Sequence, residues 1–387
     1  MELMVGVLLL LPLLLSPATT AGSPAPAPAP PRAPPRAYAP VTDGVLVNGN
    51  FAMSPRKMNN TVIVGQDSLP GWALRGHVEY VSGGPQPGGG YLPVAAGVHA
   101  LRLGARASAA QAVAVRPGAA YALTFAATRS CATDEALRVA VSPSLSAPAD
   151  VAVRTLYGAG AVDAWAWGFR AAERDTQVVF SNPADNDDDS ACGPLLAAVA
   201  IKELPAPLPS KDNLIRNGDF EAGPAAIENS TAGVLLPPKQ KDATSPLPGW
   251  IIESLRPVRL INAPHFSVPH GQRAVELIAG REGVIAQVIR TAPGRAYNLS
   301  FAVGDARDGC EGAMLVHAIA GNATAAVPFA SRGGGGARHA SLRFVASGHR
   351  TRVTFFSSYY HTSAGDGVSL CGPVLDQVKL QPLMTKA

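Results

Sequence analysis

The chain has 387 residues, 47% of them hydrophobic and only 16% charged, and a formal net charge of +4. That length suggests two domains, and no block of basic residues interleaves with aromatics, which argues against a basic nucleic-acid-binding surface. The 39 glycines and 35 prolines make turns frequent and point to an all-β chain rather than a helical one.

The first residues read as a targeting segment. Val5–Leu15 is an apolar run of signal-peptide length, and Thr19-Thr20-Ala21 fits a cleavage site before Gly22, so residues 1–21 are assigned as signal peptide. The segment departs from the usual pattern in carrying Glu2 and no Lys or Arg ahead of the run. The run is too short to cross a bilayer comfortably, and Leu383-Met384-Thr385-Lys386-Ala387 lacks the apolar character of a GPI signal. The expectation is a secreted, extracellular protein with no membrane association after cleavage. Sequons at Asn59, Asn229, Asn298 and Asn322 agree with that route, although Asn298 falls in an expected strand. Residues 22–40 form a Pro/Ala-rich linker that cannot bury apolar surface and reads as extended, polyproline-like chain. It serves either as a plain spacer or as a carrier of hydroxyproline-linked glycans.

Beyond the linker the sequence repeats itself. Asn48-Gly49-Asn50-Phe51 returns as Asn217-Gly218-Asp219-Phe220, Leu69-Pro70-Gly71-Trp72 as Leu247-Pro248-Gly249-Trp250, and Cys192-Gly193-Pro194-Leu195 as Cys371-Gly372-Pro373-Val374. The order is kept at an offset of about 170–180 residues, which means two whole domains rather than a solenoid. They are placed at 41–204 and 212–381, joined by a Pro-rich linker at 205–211. Alternating runs at Gln111–Val115, Tyr121–Phe125, Thr176–Phe180, Val284–Ile289, Tyr297–Val303 and Arg352–Phe356 predict strands with one face toward a core. No segment sustains a helical period. The fold class is therefore all-β, with two tandem jelly-roll β-sandwiches.

Four cysteines allow three pairings. Duplication favours Cys131 with Cys192 and Cys310 with Cys371, both separated by 61 residues. Each bridge would stabilise its domain by about 4 kcal/mol on a chain-entropy estimate. A metal site is the rival reading, weakened by the absence of any Cys-x-x-Cys spacing.

These motifs, with VPHGQRAVEL at Val268–Leu277 and the closing Cys-Gly-Pro-(Val/Leu)-Leu, resemble the plant cell-wall family of domain of unknown function 642, over about residues 43–380. The resemblance implies tandem galactose-binding-like domains and an apoplastic protein associated with cellulose, hemicellulose or pectin. It also implies interaction with pectin methylesterase. Arginine predominates over lysine and supplies a planar fork for carboxylates such as those of pectin, although scattered surface arginines need no ligand. The first copy departs from the family's pattern: Ala197-Ala198 stand where the second copy has Asp376-Gln377, and Arg102 where it has Glu276. Val94-Ala95-Ala96-Gly97 also lacks the proline. These departures suggest a weaker or altered first domain.

Sugar rings stack on exposed aromatics. Trp72 and Trp250 follow turns and read as core. Trp165 and Trp167 are two apart, so they share one side of a strand and become candidate stacking residues, together with Tyr359 and Tyr360 ahead of Cys371. The run Asp185-Asn186-Asp187-Asp188-Asp189 reads as a solvated loop, with a structural Ca²⁺ as the alternative. Glu276 with Asp305 or Asp308 would make a glycosidase pair only if held about 5–9.5 Å apart across a cleft. That pair is not repeated, no Gly-x-Ser-x-Gly elbow exists, and His265 and His270 lack metal-ligand spacing. No catalytic residue, metal ligand or cofactor is assigned. The reading is a binding protein, with a pure protein-interaction module or a glycan hydrolase as alternatives.

Overall fold

The computed structural model describes residues 45–85, 91–92, 94, 99–131, 135–144, 149–153, 162–185, 192–207, 210–226, 232–238, 242–263 and 265–383. The signal peptide, the Pro/Ala linker, Asn229 and the acidic run beyond Asp185 lie outside the described residues. Ala39–Ala387 form one compact unit. Its described elements are strands, apart from two single-turn 3-10 segments at Asp242–Thr244 and Gly280–Glu282.

Each copy builds a sandwich. In the first, Val78–Ser82, His99–Leu103, Leu195–Glu203, Ala120–Thr128 and Asp163–Arg170 lie side by side. They face a sheet of Ala149–Val153, Glu135–Ser142, Asp175–Ser181, Ser108–Ala114 and Ala73–Arg75. In the second, Val258–Asn262, Arg273–Glu276, Pro373–Pro382, Ala296–Asp305 and Ala337–Val345 face Ile251–Ser254, Gly283–Arg290, Arg350–Ser357, Glu311–Ala320 and Ala323–Arg332. The six alternating runs lie on six of these strands, with only Val115 falling just past a strand end. Their buried faces interdigitate: Phe125 meets Phe180 edge-on at 5.2 Å, and Phe301 meets Phe355 the same way at 5.1 Å. Such pairs add about 0.5–1.5 kcal/mol to the area they bury. Cys131 is bonded to Cys192 and Cys310 to Cys371, with Cα separations of 5.5 and 5.7 Å.

The two sandwiches are fused through a shared sheet. Asp163–Arg170 pairs in parallel with Val234–Leu236, Ala164 opposite Val234 and Trp165 opposite Leu235, which joins the larger sheets into one of 13 strands. Ile278 and Ala279 of the second copy pack into the first copy's core, and Ala166 of the first packs into the second's. Gly168 makes the seam close. A Cβ there would lie 2.2 Å from the Thr244 carbonyl oxygen and 2.5 Å from the Pro246 nitrogen, so no larger residue fits without moving backbone. Overpacking of this kind costs about 1–3 kcal/mol. The G168A variant should therefore unfold several degrees below wild type in scanning calorimetry, with the single transition broadening or splitting as the two sandwiches uncouple. An unchanged endotherm would show that the seam bears no stability.

Candidate functional site

The repeated motifs close each sandwich rather than line a ligand site. Asn48, at φ 54°, donates from Nδ2 to the Met53 and Pro70 carbonyls and accepts the Met53 N–H, while Trp72 Nε1 donates to the Asn48 carbonyl at 3.1 Å. Asn217, at φ 51°, does the same with Ala222, Pro248 and Trp250, whose Nε1 reaches the Asn217 carbonyl at 2.8 Å. Gln111 and Gln287 each exchange two hydrogen bonds with the backbone of Val47 and Arg216. In the Cys-Gly-Pro motif, a Cβ on Gly193 would fall 2.0 Å from the Leu103 oxygen and one on Gly372 2.2 Å from the Leu277 oxygen. Both tryptophans are core residues.

Trp165 and Trp167 do share a face, but it is the inner one. Both are buried in the first core. Their strand is the seam, flanked on both edges, so they present no ring to a sugar and do not serve as stacking residues. The glycosidase carboxylates are also used structurally. Glu276 is fully buried and accepts from Arg259 Nε at 2.5 Å and from the Gly372 N–H at 2.8 Å, and Arg259 also donates to Asp308. Asp305 is buried and accepts from the Ser331 hydroxyl and the Gly335 N–H. Among the described residues the one metal-like cluster is Asp308, Cys310 and Cys371, whose sulfurs are already spent in the disulfide.

Two departures of the first copy have structural causes, while that at Val94–Gly97 lies largely outside the described residues. Glu79 and Arg102 occupy the cross-strand position that Arg259 and Glu276 occupy in the second copy, and Arg102 donates to Glu79. The pair is kept with its sign reversed. Asp376 is fully buried and accepts the His270 and Gln377 N–H groups, pinning the loop that carries Phe266 over the sheet. In the first copy Ala197 packs instead among Val81, Ala100 and Ala126. Both positions precede a residue of positive φ, Gln377 at 51° and Ala198 at 49°, where the strand bulges.

Among the described residues the exposed aromatic chemistry lies on the second copy. Tyr359 and Tyr360 are 51% and 47% exposed. The Tyr360 hydroxyl donates to Glu282, and burial, that hydrogen bond and the charge of Glu282 push its pKa up to about 12. Tyr359 meets His361 edge-on at 6.4 Å. On the adjoining outer face of the five-stranded sheet, the half-buried His317 lies flat on Phe356, centroids 4.8 Å apart and planes at 9°. Desolvation, then the charge of Arg281, lowers the His317 pKa, and desolvation lowers that of His361, so both rings favour the neutral form. The stack was missed in the sequence, although adjacent Phe355 and Phe356 on one strand must face opposite sides. Ser181 and Ser108 take the places of Phe356 and Val284 in the first copy. Of the sequons, Asn59 and Asn322 sit exposed at turns and Asn298 is half-buried on a central strand.

Two variants test these assignments. R102E should set two acids opposite each other and cost about 3 kcal/mol, and E79R/R102E, which recreates the second copy's polarity, should recover most of it in urea denaturation. For Asp376, burial first and then the nearby Glu221 and Asp219 raise the pKa from 3.8 to about 7. The folded state thus holds a proton that the unfolded chain releases, so this contribution is complete below pH 3.8 and is lost as pH rises through 7. Melting temperature should fall across that window, and D376N should flatten the fall.

Residues 44–202 and 213–381 each match the family model described as protein of unknown function (DUF642). Protein TEEBE from Arabidopsis thaliana is 50% identical over 341 residues, covering 88% of this chain and 91% of its own. The protein DUF642 L-galactono-1,4-lactone-responsive gene 2, from the same plant, is 46% identical over 340 residues, covering 87% and 91%. Among solved structures, the CBM22-1–CBM22-2 tandem domain of Paenibacillus barcinonensis Xyn10C aligns at 11% identity and TM-score 0.27, covering 81% of this chain and 94% of that one. The ANX1 ectodomain from Arabidopsis thaliana aligns at 11% identity and TM-score 0.28, covering 85% and 95%. Scores of this size say nothing about ligands.

Proposed function

The chain belongs to the DUF642 family, and on that premise we propose that it is a secreted plant cell-wall protein that binds wall polysaccharide without acting on it chemically. The observation that carries the reading is the pair of exposed tyrosines, Tyr359 and Tyr360, beside the His317–Phe356 stack. The C–H face of a pyranose gains by covering such rings, because apolar area leaves water, while Glu282, Arg256 and Arg281 nearby offer partners for hydroxyls. The apolar run Val5–Leu15 and the sequons support secretion. The Glu276, Asp305 and Asp308 carboxylates are engaged in structural bonds, which favours binding over hydrolysis. An influence on pectin methylesterase, drawn from the family resemblance, completes the proposal.

Affinity electrophoresis of the mature protein in gels containing cellulose derivatives, xylan or pectins of graded methylation tests this reading. Y359A/Y360A should weaken retention about tenfold, as expected for two stacked aromatics of roughly 0.5–1.5 kcal/mol each. Unchanged retention of the folded double variant would move the site elsewhere. Retention by no polymer, with pectin methylesterase activity altered in a parallel assay, would replace polysaccharide binding with protein interaction.

A further inference from the structure

We propose that a cleft beside Arg273, on the second domain, binds the carboxylate of a uronic acid residue. The inference rests on the reading of the protein as a polysaccharide binder, but it concerns a different site from the tyrosine rim. The cleft has a volume of about 220 Å³ and is lined by Pro224, Ala226, Ile261, Asn262, Gln272 and Arg273, among others. That is smaller than the roughly 300–1,000 Å³ of a drug-sized pocket, so it suits one sugar ring rather than a long segment. Asn262 and Arg273 face each other across neighbouring strands. They place an amide and a guanidinium at one mouth, with Pro224 and Leu260 supplying an apolar wall.

Arg273 is distinguished by what it lacks. It is half-buried, and its guanidinium makes one hydrogen bond, from Nη1 to the Gly223 carbonyl at 3.0 Å. Among the described residues no carboxylate comes within ion-pair distance of it. Arg259, by contrast, is held by Glu276 and Asp308. Glu221 attracts Arg273 through space, but Glu221 Oε1 accepts the backbone N–H groups of Gln272 and Arg273 and is turned to the chain. Burial lowers the Arg273 pKa while Glu221 raises it, the mark of a cation that has lost water without gaining a full partner. A carboxylate supplied from outside would complete it, since a guanidinium fork matches a carboxylate bidentately. Ring hydroxyls would then fall to Asn262 and Gln272. Among the described residues the first copy has no such arginine at this position. His99 stands at the register position of Arg273 and stacks on Tyr80 at 4.5 Å, and desolvation works against its charge.

The test is isothermal titration of the mature protein with trigalacturonic acid, its methyl ester, and a xylotriose carrying a glucuronic acid side group. Binding of at least one free acid, at least tenfold tighter than the ester, is expected. R273Q should abolish that preference, and A226W, which fills the cleft from its exposed rim and leaves Arg273 in place, should weaken the free acid tenfold. The tighter acid identifies the source as galacturonan or glucuronoxylan. Equal binding of acid and ester, no binding of either acid, or wild-type affinity in folded A226W would overturn the proposal. Retention on neutral polymers that survives R273Q but is lost in Y359A/Y360A separates this site from the tyrosine rim. If the cleft fails, the broader reading therefore remains open to its own test.

Discussion

Buried backbone must find partners for its polar groups, and the way this chain meets that constraint as it enters each sandwich governs the rest of its structure. The entering turn crosses the end of the core with its N–H and C=O groups facing inward. One asparagine, Asn48 or Asn217, takes the left-handed conformation and bonds both ends of the turn. Its own carbonyl receives the indole N–H of Trp72 or Trp250, and a glutamine of one sheet bonds the backbone of the residue just before it. With the turn fixed, the tryptophan is seated against Phe51 or Phe220 and the sheets have a defined separation. The Asn-Gly, Leu-Pro-Gly-Trp and Cys-Gly-Pro motifs that the two copies share serve this closure or the glycine contact next to each disulfide.

Function must then be sought in what is not shared. The copies agree in the turn that enters each sandwich and differ most where side chains meet solvent. The second presents Tyr359, Tyr360, Phe356 and the cleft of Arg273; the first presents Ser181 at the place of Phe356 and His99 at that of Arg273. The shared 13-stranded sheet holds this surface in a fixed relation to the first sandwich. Residues from each copy lie in the other's core, so the first sandwich buttresses the segment at Ile278 and Ala279 that leads directly to Glu282 and the Tyr360 contact.

Much of the architecture was legible in the sequence because duplication tests itself. Two cysteines at one spacing in both copies pair in one sensible way, and alternation recurring at matched positions marks strands. The tyrosines were legible too, as aromatics outside any alternating run. What stayed hidden needed knowledge of which face is which. Trp165 and Trp167 show the limit: spacing places them together but not inside or outside, and only the seam strand's neighbours decide that they are buried. The parallel pairing with Val234–Leu236 joins segments about 70 residues apart through a three-residue strand, too short to carry a pattern. The Arg273 cleft is assembled from the turn at Pro224 and two strands, and no single segment carries its signal.

The ion pair across the larger sheet bears on how the first copy should be regarded. Taken position by position, Arg102 in place of Glu276 looks like a loss. Seen as a cross-strand pair, Glu79 and Arg102 are Arg259 and Glu276 with the charges exchanged. Each half of such a pair is costly without the other, because a buried charge with no partner forfeits its hydration. The structure therefore needs complementarity, and either polarity supplies it. The same reasoning covers Ala197: an apolar residue packed on Val81 and Ala126 brings no polar group that needs a partner. The first sandwich is not a degraded version of the second. Its entering turn and its cross-strand ion pair are kept, and beyond the exchange of Asp376 for Ala197 the difference between the copies lies mainly in the solvent-facing chemistry.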